Sequence, residues 1–215
     1  MARQLRAEQT RSTIITAAAD LFDRHGYEST SLSDIVEHAQ VTKGALYFHF
    51  AAKEDLAHAI LELQSQTSRR LARDTDVRGH SSLESLMRLT FGLARQSVEC
   101  PVLRAGLRLA TGGVRVRPPL RHPFTEWLEI VTTRLVGAVK EGDLNPETDA
   151  DAVAHSLVSF FVGTRVVGRS HEPLARQPRR VAEMWQILIR GLVPVTRRAR
   201  YLSLAARLER EIIPC

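Results

Sequence analysis

Apolar side chains recur along almost the whole chain with the 3.6-residue period of an α-helix, and no convincing two-residue alternation appears. An early example is the stripe of Ile14, Ala18 and Phe22, within a helix predicted over residues 4–25. Further helices are predicted to begin near Ser31, Thr42, Lys53, Ser81, Pro101, Pro123, Thr148, Pro178 and Pro194. The pattern therefore predicts an all-α protein.

Residues at the predicted helix ends have side chains that start and stop helices. Ser31 is followed three positions later by Asp34, and Ser81 by Glu84, which is the spacing of a reciprocal cap. Residues 112–121 contain a Gly-Gly and a Pro-Pro pair and are predicted to form a loop. The short helices after Ser31 and Thr42 are separated by about three residues, which is typical of a helix-turn-helix unit.

The second short helix has side chains suited to reading DNA. Thr42 is placed to cap it, which leaves Lys43 at its start to reach a guanine edge in the major groove. Gly44 lets the backbone approach closely, and Ala45 is small enough to meet a thymine methyl group. The residues predicted to contact phosphate oxygens are Tyr47, His49, Lys53, Ser31 and Ser33, with Arg3 or Arg6 of an N-terminal arm touching a phosphate or the minor groove.

The same segment is also compatible with two ordinary surface helices whose aromatic residues pack in a core. We expect Leu46, Phe48 and Phe50 to be core residues, and we predict no base contact for them.

Residues 26–56 resemble the helix-turn-helix segment of the TetR family of bacterial transcriptional regulators. The residues that match the family's pattern are Gly26, Tyr27, Thr30, Ser31, Ile35, Ala39, Val41, Thr42, Gly44, Tyr47, His49, Phe50, Lys53 and Glu54. Gln40 departs from the pattern, because it stands in the turn where the family usually has glycine. If the backbone there is left-handed, Gln40 costs about 1 kcal/mol, a strain that we expect the fold to tolerate.

The TetR resemblance implies a division of labour along the chain. It implies an N-terminal three-helix helix-turn-helix DNA-binding domain over residues 1–52 and a C-terminal helical domain for ligand binding and dimerisation over residues 53–215. Residues 148–168 and 178–193 are the candidate dimer helices, the first of them expected to be buried on all sides. Two recognition helices would then lie about 34 Å apart, matching a palindromic operator.

One branch of the family resembles the chain over nearly its whole length, namely the γ-butyrolactone autoregulator receptors of actinomycetes. The resemblance rests on residues 3–11, 41–50, 101–110, 123–127 and 185–195. Members of this branch repress promoters of secondary metabolism until a diffusible lactone binds. The resemblance therefore implies a homodimeric repressor that binds double-stranded operator DNA, is released by a γ-butyrolactone or butenolide, and controls antibiotic production.

The resemblance also implies a pocket role for Trp127, although an aromatic residue on an amphipathic stripe can equally be core. A lactone with an alkyl tail needs an apolar tunnel and one or two hydrogen-bond donors. The candidate donors are Gln64 and Thr164, and the candidate lining residues are Phe160, Leu86 and Leu107, with plain core packing as the alternative for each. Trp185 is expected in the core or the dimer interface.

The distribution of charge along the chain, rather than its total, bears on the prediction of DNA binding. The formal net charge is +6 and the sequence pI about 10.0, which suggests a polyanionic partner. Residues 1–55 nevertheless have a net charge of −2, and the remaining residues carry +8. Within the predicted DNA-reading segment, however, residues 38–53 contain two lysines and no acid. The placement of Lys43 and Lys53, rather than the total charge, indicates DNA binding.

Several classes of protein are not indicated. No nucleophile motif, phosphate-binding loop or metal-ligand spacing appears, so we predict no catalytic residue, metal or cofactor, and His155 is expected to be a core or pocket residue. Cys100 and Cys215 do not form a disulfide framework, which favours a reducing cytoplasm. No secretory signal and no membrane-spanning run of about 18 apolar residues is seen.

Two alternatives to a lactone receptor stay open. One is a TetR-type pseudo-receptor that responds to antibiotics or other hydrophobic compounds, and the other is a constitutive DNA-binding protein without an inducer. A late arginine cluster is expected to form a solvated face or ion pairs at a dimer edge, with a second nucleic-acid patch as the alternative. Its members are Arg176, Arg179, Arg180, Arg197, Arg198 and Arg200.

Overall fold

The structure, a computed structural model, describes residues 2–117, 119 and 122–212, without the side chains of residues 2, 3, 169–171 and 212. Within these ranges the chain is helical and contains no strand, which confirms the predicted all-α class. The helices are α1 Ala2–Arg24, α2 Leu32–His38, α3 Lys43–His49, α4 Lys53–Asp74, α5 Ser82–Glu99, α6 Pro101–Thr111, α7 Pro123–Lys140, α8 Ala150–His171, α9 Gln177–Leu192 and α10 Val195–Ile212. A short 3-10 turn, Leu174–Arg176, precedes α9.

The chain forms two compact units, and each is built from two separate stretches of sequence. The first unit comprises residues 1–67 and 100–123, and the second comprises residues 68–99 and 124–215. Helix α4 therefore contributes to both units, and α6 belongs to the first unit although α5 and α7 belong to the second. The functional division at residue 52 inferred from the sequence stays a prediction.

The core of the first unit is built around α1. Ile14, Ala18 and Phe22 are fully buried, as the apolar stripe predicted, and α6 packs along α1 with Ala105 and Leu109 in the same core. Helix α3 contributes Leu46, and Phe50 follows at its C-cap.

Phe48 does not join this core, because its side chain is 78% exposed, so the prediction of a core role was wrong. Leu46 and Phe50 are four positions apart and share the inner face of the short helix α3. Phe48 lies two positions from each of them and therefore points to the opposite face.

The second unit is organised around α5. Leu83, Leu86 and Met87 of this helix are fully buried. Trp185 of α9 is also buried and donates from Nε1 to Thr90 Oγ1 at 2.8 Å, which places it in the core, one of the two positions predicted.

A polar network joins the start of α5 to α10. Ser81 Oγ accepts from the Glu84 backbone N–H at 3.3 Å, as a capping serine does, whereas the Glu84 carboxylate accepts from Arg88. Ser81 Oγ also bonds to the hydroxyl of the fully buried Tyr201 at 3.0 Å. Burial of Asp143 works to raise the pKa of its carboxyl, but hydrogen bonds from Tyr201, Ser81 and Arg197 outweigh it, so the pKa is lowered.

Helix α8 has an exposed apolar face in the single chain, so the prediction that it is buried on all sides was wrong for the protomer. Phe160 is 41% exposed, Val166 52% and Val167 65%, and His155 is exposed rather than in a core or pocket. Residues 150–168, with a mean hydropathy of 1.2, are long and apolar enough for a membrane span, which was not expected from the sequence. Leu157 and Phe161 are buried within the second unit, so the helix is packed on one side and uncovered on the other.

Candidate DNA-binding surface and ligand cavity

The turn between α2 and α3 is a left-handed helix stop made by Gln40. Gln40 has a φ of +53°, and it is the only non-glycine residue with positive φ among the residues that the structure describes. Its N–H donates to Glu37 O at 3.1 Å, and the N–H of Val41 donates to Val36 O at 3.2 Å. These two bonds form the Schellman motif, which ends α2 and aims the chain into α3.

Helix α3 begins at Lys43 as predicted, because Thr42 Oγ1 accepts from the Ala45 N–H at 3.1 Å. Lys43 and Gly44 are exposed, Tyr47 is 57% exposed, and Ala45 is half-buried. The Lys43 ammonium makes no hydrogen bond or ion pair with the described residues, so its charge is available to a ligand at the start of the helix.

Helix α2 also begins with polar groups on its surface. Ser31 and Asp34 form the predicted capping box, with the Asp34 N–H donating to Ser31 Oγ at 3.2 Å and the Ser31 N–H to Asp34 Oδ2 at 2.8 Å. These bonds lower the pKa of the Asp34 carboxyl. Because Ser31 Oγ only accepts within the cap, its hydrogen is free to be donated to a phosphate. Ser33 is exposed beside it.

Lys53 occupies a different position from the one predicted. Its Nζ donates to Tyr27 O at 2.8 Å and to Thr30 O at 3.0 Å, and it lies 4.4 Å from the centroid of the Tyr27 ring. A longer contact to Glu28 O at 3.4 Å uses the third ammonium hydrogen, so Lys53 acts as an internal clamp between the start of α4 and the segment before α2. The half-buried His49 packs edge-on to Phe48, with ring centroids 4.9 Å apart, and the side chain of Arg3 lies outside the described residues.

Helix α6 is tied to the end of α1 by two arginines. Arg104 Nε lies 2.7 Å from Asp23 Oδ2, with both side chains largely buried, and Arg108 Nη1 donates to the backbone carbonyl of Asp23. The Arg108 guanidinium also lies against Gly26, where a Cβ would come within 2.9 Å of Nη2. Gly26 has a φ of +94°, so both the backbone and the packing favour glycine at this position.

The second unit contains an apolar cavity lined by Trp127. Its volume is only about 20 Å³, which is room for about one water molecule. The ring of Trp127 meets those of Phe124 and Phe161 edge-on, each with a centroid distance of 5.9 Å. The wall residues are Ser68, Leu89, Thr90, Leu93, Trp127, Ile130, Val131, Leu157, Val158 and Phe161. The cavity is therefore a narrow slot whose walls must separate to admit a ring and a tail.

The other predicted ligand residues do not line this slot. Leu86 is fully buried but is not a wall residue, and Phe160 and Thr164 line a separate surface groove. The Thr164 hydroxyl is already engaged, because it donates to Phe161 O and accepts from Gln177 Nε2. Gln64 and Leu107 are buried in the first unit.

Gln64 Oε1, which can only accept, is buried without a hydrogen-bond partner among the described residues. The role of Gln64 as a donor to a ligand stays a prediction. Ser68, which was not singled out from the sequence, lies one helical turn further along α4. That spacing is the signal that would have pointed to it.

The late arginine cluster is largely paired within the chain, and the predicted ion pairs at a dimer edge stay a prediction. Arg180 bonds to Glu172 and Glu183, which raises its pKa, and Arg179 pairs with Glu183 at 3.2 Å. Arg197 pairs with Asp143, Arg200 with Glu84, and Arg198 donates to Val193 O. No group of three or more His, Cys, Asp or Glu residues able to hold a metal occurs among the described residues.

The chain belongs to the TetR family of bacterial regulatory proteins. Residues 14–60 match the pattern described as bacterial regulatory proteins, tetR family, and residues 80–194 match the tetracyclin repressor-like C-terminal domain. These two matches cover the helix-turn-helix segment and most of the second unit. The family is one of transcriptional regulators and not of enzymes.

Three relatives within the family resemble the chain over most of its length. The A-factor receptor protein of Streptomyces griseus is 37% identical over 193 residues, which are 88% of this chain and 66% of that protein, so the chain spans just under two thirds of that relative. A crystal structure of a γ-butyrolactone receptor, an ArpA-like protein, has 71% identity and a TM-score of 0.88, over 96% of this chain and 99% of that one. CprB of Streptomyces coelicolor, in complex with its biological operator sequence, has 73% identity and a TM-score of 0.89, over 95% and 98%.

Proposed function

We propose that this protein is a cytoplasmic, homodimeric transcriptional repressor that a γ-butyrolactone or butenolide releases from operator DNA. The observation that carries the proposal is that one chain combines an exposed, capped recognition helix with an apolar slot around Trp127. The likeness to an A-factor receptor and to a γ-butyrolactone receptor supports the ligand class. Control of antibiotic production is the corresponding physiological role.

The DNA-binding half of the proposal rests on α2 and α3. Lys43 and Tyr47 project from α3 toward a major groove, while Ser31 and Ser33 at the start of α2 reach the flanking phosphates. The likeness to CprB bound to its operator supports this placement. Lys53 is left out of the interface, because its ammonium holds backbone carbonyls.

The dimer rests on the uncovered apolar face of α8 and α9. Phe160 and Val167 of α8, together with Ile187 of α9, leave large apolar side chains exposed. We infer that the same face of a second copy covers them, which gives a two-fold dimer suited to a palindromic operator. This interface also accounts for the apolar character of residues 150–168 without a membrane.

Release follows from the narrowness of the slot. A lactone with an alkyl tail fits only if the walls separate, so it binds a wider conformer better than the narrow one. Helix α4 is continuous from Lys53, next to α3, to Ser68 in the slot wall, so a shift of this helix reaches both regions. Operator affinity then falls by the difference in ligand affinity between the two conformers.

The test is a titration of the dimer on an operator fragment selected from random-sequence DNA. We expect an alkyl γ-butyrolactone to release the DNA from the wild-type protein. Trp127→Ala is expected to keep operator binding and lose release, and Trp127→Phe, which keeps a ring in the slot, to be intermediate. DNA that stays bound at saturating lactone would refute the proposal.

Two alternative functions have distinct signatures in the same titration. Release by hydrophobic antibiotics but not by lactones would identify a pseudo-receptor, particularly if the response survives Trp127→Ala. An absence of release by any such compound would identify a constitutive DNA-binding protein. The likeness to an A-factor receptor and to a γ-butyrolactone receptor favours a ligand-responsive protein over this last alternative.

A further inference from the structure

The walls of the Trp127 slot contain two hydroxyl groups, and only one of them is committed to the protein. The eight other described wall residues are aliphatic or aromatic. The Thr90 hydroxyl donates to Met87 O at 2.8 Å and accepts from Trp185 Nε1 at 2.8 Å. Its hydrogen is therefore used inside the core and is not available to a ligand.

The Ser68 hydroxyl has no such commitment. Its side chain belongs to a residue that is 3% exposed, and Oγ has no hydrogen-bond partner among the described residues. Several helical hydroxyls elsewhere in the chain donate back to the preceding turn, as Ser97 does to Leu93 O and Thr133 to Glu129 O. A buried hydroxyl that bonds to nothing lowers the stability of the free protein, so its partner is to be sought in the slot.

We propose that Ser68 Oγ donates a hydrogen bond to the carbonyl oxygen of a lactone ring held against Trp127. This inference rests on the proposed function and adds the residue that recognises the ring. The apolar walls accept the hydrocarbon part of the ligand, and Ser68 distinguishes a ring that bears a carbonyl from a ring of the same shape without one. Because Ser68 lies on α4, the hydrogen bond also attaches the ligand to the helix that begins beside α3.

The experiment compares Ser68→Ala with Ser85→Ala as a matched control. Ser85 is equally buried and its Oγ is equally unpartnered among the described residues, but it does not line the slot. Calorimetric titration measures the Kd of the intact dimer for an alkyl γ-butyrolactone and for the matched alkyl tetrahydrofuran, which lacks the carbonyl. We expect Ser68→Ala to weaken lactone binding about tenfold and to leave tetrahydrofuran binding unchanged, and Ser85→Ala to change neither.

The remaining outcomes separate the two proposals. If the wild-type protein binds no lactone, the proposed function fails first, and this inference fails with it. If the wild type binds and Ser68→Ala binds equally well, only the role of Ser68 is overturned. An equal loss for lactone and tetrahydrofuran also overturns it, because Ser68 would then contribute shape and not a hydrogen bond. The free Ser68→Ala protein is expected to be at least as thermally stable as the wild type.

Discussion

Replacing Gln40 by glycine should stabilise the protein. Gln40 holds a left-handed backbone at φ +53° in the turn between α2 and α3, and its side chain is exposed without a hydrogen-bond partner among the described residues. The substitution therefore removes no side-chain contact. The two Schellman bonds are made by backbone N–H groups of Gln40 and Val41, so both persist in the variant.

The magnitude follows from two opposing contributions. A left-handed backbone costs an L-residue with a side chain about 1–2 kcal/mol, and glycine avoids that cost. Glycine also gains freedom in the unfolded chain, which takes back about 0.4–1 kcal/mol. The free energy of unfolding of Gln40→Gly should therefore rise by about 0.8 kcal/mol, within a range of about 0–1.6 kcal/mol, and the central value corresponds to about 2–3 °C in Tm for a domain of this size.

The measurement is urea or thermal unfolding at a fixed protein concentration, since the stability of a dimer depends on concentration. Glu37→Gly is the matched control, because Glu37 is also exposed but lies within right-handed helix α2, where glycine should cost about 1 kcal/mol. Gln40→Val should be less stable than the wild type, because a β-branched residue tolerates positive φ poorly. A Gln40→Gly protein that is less stable than the wild type would refute the reasoning.

Three further predictions concern other parts of the chain. Asp143→Asn should lower the free energy of unfolding by about 1–3 kcal/mol near neutral pH, because Arg197 loses a charged partner. Since the folded pKa of Asp143 lies below its ordinary value of 3.8, this stabilisation is present above 3.8. The difference between wild type and variant should shrink as the pH of the unfolding buffer falls from 3.8 through the lower pKa of the folded protein. Lys43→Ala should weaken operator binding about tenfold at an unchanged Tm. Lys53→Met should instead lower Tm, because it releases the carbonyls of the segment before α2. A loss of Tm in Lys43→Ala and a loss of only operator binding in Lys53→Met would show that the two roles are reversed. Phe48→Ala should leave the free energy of unfolding within about 0.5 kcal/mol of wild type, since the ring is exposed. A large loss of stability would show that Phe48 packs in the core after all.

The helices and their starts could be predicted because they depend on local signals. Ser31, Thr42 and the apolar stripe of α1 act within a few residues, and the structure contains the caps and the buried face that they predict. The left-handed turn at Gln40 could also be predicted, because the glycine that the TetR family usually has at this position indicates a left-handed backbone.

The features that were missed depend on packing between distant segments. Lys53 looks like an exposed phosphate contact until the carbonyls of Tyr27 and Thr30 are brought beneath it. The helical spacing puts Ser68 on the same face of α4 as Gln64, but which of the two lines the slot depends on how α5, α7 and α8 pack around it.

Residues 100–123 belong to the first unit, although they follow residues of the second, and this limits how the chain can be divided into fragments or joined to another regulator. A fragment that ends at residue 52 would lack Ala105 and Leu109, and the face of α1 that packs against α6 would be left in water. It would also lose Arg104 and Arg108, which hold Asp23 at the end of α1. A chimera that transfers operator preference to another regulator must therefore exchange two segments together, residues 1–67 and 100–123. The helix-turn-helix segment can therefore be transferred to another regulator only together with α6.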